Sequence, residues 1–433
     1  MALDVEALRA KLANVSTLCA IGKVVGVTGL SVRFAMPGVR VGDVVRVRRR
    51  GEPLACEVVG FDAGGAIALP LGALVGVGLG DEVESTGHTL CVRAGESLLG
   101  RVTDGLGRPV DGGPPIEGQV VAVDRDPPEA LGRRPVNRPL ATGVRAIDAL
   151  VTLGEGQRLG LFAGSGVGKS TLLGAIARGA DAEAVVVGLV GERGRELGEF
   201  VERALGREGR RKSVVVVSTS DAPAIERLRA AQVATAYAEW FRDQGKRVLL
   251  LVDSVTRFAR AQREVGLAAG EPPGRRGYPP SVFAALPRLL ERSGQSARGS
   301  ITAIYTVLVE GGDMDEPIAD DVRGILDGHV VLDRALAARG RYPAVDVTSS
   351  VSRVMDAIVP AEHREAARRL RALVGAYEAK RDFVLLDAYV KGTDKELDEA
   401  ILRMPRIEAL LAQSADEITP FAATVAALAD TVR

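Results

Sequence analysis

The sequence predicts an α/β fold set between a small all-β domain in front and a helical domain behind. Three observations carry that reading. Between about residues 155 and 350, runs that are apolar throughout alternate with helical stretches, the pattern of a mostly parallel sheet covered on both faces. From about 20 to 88 the chain holds short valine-rich runs punctuated by Gly (KVVGV, DVVRVRR, CEVVGF, AIALPLG), as in a small barrel or sandwich. After Pro360 the apolar residues fall at spacings of three and four, which is helical.

The bulk properties agree with several soluble domains. At 433 residues the chain is too long for one small domain. Lys+Arg and Asp+Glu are both 56, so no excess charge draws nucleic acid or an acidic membrane to the whole molecule. Only eight of the basic residues are Lys, so an arginine needs a motif before it is singled out. Cys19, Cys56 and Cys91 share no metal-like spacing and are too few for a disulfide framework, which points to a reducing cytosol. The N-terminus MALDVEALRAKLANV lacks the apolar core of a signal peptide, and no apolar run approaches the roughly 20 residues that span a bilayer. A soluble protein is expected, able to dock on something membrane-bound.

Taken in order, Val5, Leu8, Leu12 and Val15 lie on one face of a short helix over residues 1–16, which either packs on the body or docks a partner. A β domain is expected over 17–93. LLGRVTDGLGRPVDGGPP, residues 98–115, is dense in Gly, Pro and Asp and reads as a turn-rich connection. The α/β domain is placed at 94–355, with strands RLGLFA, AVVVGLV (184–190), SVVVVST (213–219), RVLLLV (247–252) and SITAIYTVLV (300–309). A helical domain over 356–433 shows three stripes: Leu370, Leu373, Val374 and Tyr377; Leu397, Ala400, Ile401 and Met404; and Phe421, Val425, Leu428 and Val432 after a start at Thr419-Pro420.

The chemistry begins at LFAGSGVGKSTLLG, residues 161–174. It fits the phosphate-cradling pattern with Ala163 where Gly is commoner, followed by Gly164, Ser165, Gly166, Val167, Gly168, Lys169, Ser170 and Thr171. The glycines let backbone N–H groups turn inward on the phosphates, Lys169 adds a point charge, and the Ser170 hydroxyl can ligate Mg²⁺. The apolar strand RVLLLVD ends in Asp253, suited to holding a metal's water shell, though Asp at such a place is also a common helix cap. Glu192 lies just beyond another strand, at the edge where ligands sit in open α/β sheets, and could polarise the attacking water; Arg193 and Arg195 could equally make it a structural ion pair. Tyr342 could stack an adenine or fill a core. Arg353, at a domain junction, gains interest because phosphoryl transfer profits from a positive charge supplied in trans.

With these residues assembled, the chain resembles the catalytic ATPases of bacterial type III secretion systems, injectisome and flagellar, themselves similar to catalytic subunits of rotary ATP synthases. The likeness runs through LLGRVTDGLGRPVDG, RPLATGVRAIDAL, GLFAGSGVGKSTLL, VGERGREL, LLLVDSVTRFARAQREVGL, GYPPSVFAALPRLLERSG, GSITAIYTVLVEGGDMDEPIADDVRGILDGHVVLDRALA and YPAVDVTSSVSRVM. It implies a RecA-like P-loop nucleotide-binding domain between an N-terminal β-barrel and a C-terminal helical domain, hydrolysing ATP with Mg²⁺. Lys169 and Ser170 would grip the phosphates and metal, Glu192 position the water with support from Arg193, and Asp253 order the metal shell. Arg257 would join the same pocket, Tyr342 lie against the adenine, and Arg353 reach into the neighbouring subunit's site, which requires a homohexameric ring.

The resemblance further assigns the β domain to ring formation, the loops around REVGLAAGEPPGRRGYPP to a central stalk, and the C-terminal helices to export substrates and their chaperones. Stator proteins and an export gate complete the implied partners, placing the protein at the cytoplasmic face of the inner membrane through them. Gly312 and Asp333 depart from the family pattern, where Asp and Ser are usual. GYPPSVF and DMDEPIADDVR look more like the injectisome branch than the flagellar one. An ATP synthase subunit fits less well, because its loop usually ends in Lys-Thr after Ala-Gly-Val-Gly. A hexameric RNA translocase needs aromatic platforms, yet residues 17–93 hold only Phe34 and Phe61, so no nucleic acid partner is expected. A module that binds ATP without hydrolysing it is disfavoured by the presence of both Glu192 and Arg353.

Overall fold

The computed structural model describes residues 20–433, so the expected N-terminal helix carrying Val5, Leu8, Leu12 and Val15 lies outside the described residues. Six strands, Ile21–Thr28, Ser31–Ala35, Asp43–Arg48, Leu54–Asp62, Gly65–Pro70 and Glu82–Thr89, close into a barrel. Val24, Val32, Phe34, Val45, Val47, Cys56, Val58 and Val83 alternate inward and fill it, and closure leaves no free edge. Burial among these residues pushes the Cys56 thiol up to about 12, so it stays protonated and unreactive. The barrel is tied to the central domain by a buried pair: Arg229 Nε donates to Glu57 Oε2 at 2.8 Å, with 8% and 4% of the two residues exposed.

The central sheet runs in the order Val345–Ser352, Gly328–Leu332, Arg158–Ala163, Ser300–Leu308, Arg247–Asp253, Ala184–Glu192, Ser213–Thr219 and Val102–Asp104. All neighbours along this path are parallel except the first pair. Ala184–Glu192 is buried at every position, as a central strand covered on both faces must be. The helix Ala224–Asp243 packs closely on it: a methyl group added at Gly188 would sit 3.0 Å from the Ala234 side chain. The connection at 98–115 is more than turns. Asp104 accepts from the backbone N–H groups of Leu106 and Arg108 and closes a turn, but Val102–Asp104 also adds an edge strand to the sheet.

Parallel strands bring their carboxyl ends to one edge. Ala163, Glu192, Asp253 and Leu308 therefore share that edge although they are far apart in sequence. Val345–Ser352 runs the other way: Leu332 pairs with Val345 and Gly328 with Ser352. Arg353, one residue past Ser352, thus leaves the sheet at the opposite end, five residues down from the level of Ala163, or about 16 Å.

The C-terminal helices Ala361–Ala379, Lys395–Leu411 and Phe421–Val432 bury Leu370, Leu373, Val374, Leu397, Ala400 and Leu428 from the expected stripes. They join one core with the short helix Arg145–Leu150, which ends where His363 Nε2 meets the Ala149 carbonyl at 2.8 Å. The start at Thr419-Pro420 is not capped by a side chain; Thr419 Oγ1 accepts instead from Arg145 Nη1 at 3.2 Å.

Candidate active site

The loop between Ala163 and Lys169 turns through Gly166 and Gly168, at φ +79° and +87°, conformations that a Cβ disfavours. At Gly168 there is a second reason for glycine: an added Cβ would lie 3.3 Å from the Tyr342 ring. The turn starts the helix Lys169–Gly179, leaving its first N–H groups facing an open cavity of about 850 Å³. Seven arginines and Lys169 line that cavity against four carboxylates, an excess of positive charge suited to a polyanion.

Lys169 Nζ touches both oxygens of Asp253 and stands 3.7 Å from Glu192 Oε1. Asp253 is 2% exposed and is held by Thr306, whose Oγ1 donates to Oδ1 at 2.7 Å. Glu192, 5% exposed, takes Arg257 Nη1 on the oxygen that faces Lys169. Burial alone would lower the Arg257 pKa, but Glu192 and Asp253 outweigh it and hold the guanidinium firmly protonated. Arg257 is aimed from the first turn of Val255–Ala268, which the Ser254 side chain caps by accepting the Arg257 N–H. Two cations and two carboxylates thus balance at the edge of the cavity.

Ser165, Ser170 and Thr171 present exposed side chains to the cavity, with Gly164 between them and Arg334. Ala163 and Val167 do not: both side chains are buried, at 0% and 2%, and Val167 is not among the residues lining the cavity. Tyr342 borders a second cavity of about 450 Å³, largely apolar, with Val144, Leu172, Ala175 and Gln413; Gly166, Gly168 and Thr171 line both cavities or their junction.

Arg193 is on the rim, 81% exposed, with its Nε 3.8 Å from Glu196, and Arg195 pairs with Glu199 at 3.7 Å. Glu192 makes its ion pairs with Arg257 and Lys169, not with these two. Arg353 is exposed and lines neither cavity. Gly312 sits at φ +81°, where Asp is strained, and Asp333 caps the helix Arg334–Ala338 by accepting the Leu336 N–H at 2.7 Å. Both departures from the family pattern therefore have local reasons. Sequence reasoning missed Thr306, Arg334 and Gln413. Thr306 had a signal, a hydroxyl within the apolar run SITAIYTVLV; the other two had none.

A phosphate loop whose lysine meets a buried carboxylate, with a second carboxylate beside it on a parallel sheet, defines a P-loop ATPase. Residues 143–352 match the nucleotide-binding domain of the ATP synthase alpha/beta family, and 359–430 match the type III secretion EscN ATPase C-terminal domain. The chain is 51% identical over 407 residues to the type 3 secretion system ATPase of Xanthomonas euvesicatoria, covering 93% of this chain and 92% of that one. It is 49% identical over 411 residues to the flagellum-specific ATP synthase of Bacillus subtilis, covering 94% of each. The assembled ATPase EscN of the enteropathogenic E. coli type III secretion system superposes with TM-score 0.90 at 44% identity, over 95% of this chain and all of that one. A structure of EscN with its central stalk EscO gives 0.89 at 44% identity, again over 95% of this chain and all of that one. The chain belongs to the family of type III secretion and flagellar export ATPases, P-loop enzymes coupled to protein secretion. Among the described residues no helix is long and apolar enough to cross a membrane.

Proposed function

We propose that the chain hydrolyses ATP as a homohexameric ring at the cytoplasmic face of the inner membrane, energising chaperone release, unfolding and export through an injectisome. Relatives named for both branches match almost equally, so the choice of injectisome over flagellum rests on GYPPSVF and DMDEPIADDVR. Stator, central stalk, export gate and chaperone–effector complexes are the proposed partners, the stalk supported by the EscN–EscO structure.

In this reading the loop amides and Lys169 bind the phosphates, Tyr342 lies against the adenine, and Glu192 orients the attacking water and takes its proton. Arg257 holds Glu192, and Arg193 supports the rim. The oxygens of Ser170 and Asp253 fit a hard cation. Mg²⁺ keeps several waters and phosphate oxygens as ligands, so it would need no more than one or two oxygens from the protein. When bound, it neutralises charge on the phosphates.

The observation that carries the ring is the position of Arg353. It is exposed at the end of the sheet away from its own phosphate loop, so a role for it in hydrolysis requires a neighbour's site. Mixing Arg353→Ala with Lys169→Ala subunits tests this. Each variant alone should be nearly inactive, and mixed rings should regain part of the activity, since some sites then combine an intact loop with an intact arginine. No recovery in mixed rings of proven composition would remove Arg353 from the mechanism.

A further inference from the structure

We infer that Gln157 and Asp327 are positioning residues for Arg353, fastening it to the strand that carries this chain's own phosphate loop. The inference rests on the reading of Arg353 as acting in trans.

Gln157 directly precedes the strand Arg158–Ala163 and is fully buried. Its Nε2 donates to the Asp327 carbonyl at 3.0 Å and to Ser352 Oγ at 3.1 Å, while its Oε1 accepts the Gly154 N–H at 2.8 Å. The same Asp327 carbonyl accepts the Arg353 N–H at 3.0 Å. One buried amide thus fixes both the side chain before Arg353 and the group that holds the Arg353 main chain. Asp327 is locked in turn by Arg158: its carboxylate accepts from Arg158 N at 3.0 Å and from Nε and Nη2 at 3.1 Å, and its own N–H donates to the Arg158 carbonyl at 2.9 Å. The packing has no slack, since a Cβ on Gly328 would lie 2.4 Å from the Val351 carbonyl.

Among the described residues the Arg353 side chain has little support of its own, one long hydrogen bond from Nη2 to the Arg323 carbonyl at 3.4 Å. The region the guanidinium can reach is therefore set by where its main chain is anchored, and that anchor is held by Asp327 and, through it, Gln157. At the other end of the same strand Ala163 opens the phosphate loop. A hydrogen-bonded strand is stiff, so displacement of the loop in one subunit is passed to the arginine offered to the next. A shift of about 1 Å in a catalytic group is enough to change a rate by roughly a hundredfold.

The plain alternative is a structural clamp with no bearing on hydrolysis beyond folding. Gln157→Leu in the full-length chain separates the two. The expected result is a kcat lowered roughly tenfold or more, with KM for ATP and nucleotide affinity within about twofold, because the variant's own loop, Glu192 and Asp253 are untouched. Mixing it with Lys169→Ala subunits, which bring correctly held arginines, should restore part of the activity. A kcat at the wild-type level, a comparable loss of nucleotide affinity, or no recovery on mixing would each overturn the inference. Arg353→Ala mixed with Lys169→Ala runs in parallel: recovery there without recovery for Gln157→Leu refutes the positioning role alone, and recovery in neither refutes the trans reading beneath it. Should Gln157→Leu not fold, Asp327→Asn keeps the shape while weakening the Arg158 clamp. The same pattern is then expected with a kcat loss of roughly threefold, and the same results would count against it.

Discussion

Glu192→Gln changes one charge in a site where four groups balance, and its effect can be worked from their separations. The carboxylate is 5% exposed, its Oε1 is 3.7 Å from Lys169 Nζ, and Arg257 touches the same oxygen. At an effective dielectric constant of about 20, a unit pair at that distance attracts by about 4 to 5 kcal/mol. Neutralising Glu192 releases that attraction from both cations and leaves Lys169 and Arg257 opposed by Asp253 alone. A polyphosphate then meets a site one unit more positive, so its affinity is kept or raised. Turnover behaves oppositely, because a positioned general base contributes roughly a hundredfold to ten-thousandfold. Phosphate release in the steady state should give a kcat at least a hundredfold below wild type. Titration with a fluorescent nucleotide should give a Kd equal to wild type or lower. A kcat within tenfold of wild type, or a Kd weakened tenfold, would refute the assignment of Glu192 and the charge balance behind it.

The pair that ties barrel to sheet is expected to be costly to break: Arg229→Ala leaves Glu57 buried and unpaired and should lower unfolding stability by roughly 3 to 5 kcal/mol in urea denaturation, whereas replacing both partners with apolar residues should recover much of that. Asp148 gives a pH signature. Burial raises its pKa from 3.8 to about 6, against hydrogen bonds from the Thr142 side chain and the backbone N–H groups of Thr142 and Gly143. Because the folded value is the higher one, its contribution to stability is complete below about pH 4 and is lost as pH rises through 6, roughly 3 kcal/mol in all. The stability of Asp148→Asn relative to wild type should therefore improve by about that amount between pH 4 and 7; an unchanging difference would contradict it.

The sheet was readable because its strands are long and continuously apolar. RLGLFA and SVVVVST stand in the structure with the boundaries their residues suggest, and the others differ by one or two positions. Their order in the sheet sets Asp253 two strands from the phosphate loop, with Glu192 on the next strand. Val102–Asp104 was hidden, since three residues amid Gly and Asp carry a turn signal and become a strand only through Ser213–Thr219. What the site owes to tertiary contact was likewise invisible. Nothing near Arg193 says that it turns to solvent while Arg257, more than sixty residues on, takes the carboxylate. Gln413 is hidden in the same way: its backbone N–H donates to the Tyr342 carbonyl at 2.8 Å from just past the end of the helix Lys395–Leu411. Gln157 offers no pattern at all until Asp327 and Ser352 are placed around it.

In the mechanism proposed above, one chain holds only part of a working site and the next chain supplies the rest. The decisive quantity is the ATPase rate per chain, followed from dilution where the protein is monomeric up to concentrations where rings form. That rate should rise steeply with assembly, in step with the ring fraction measured by light scattering. A rate that stays flat from monomer to ring would contradict a site shared between subunits.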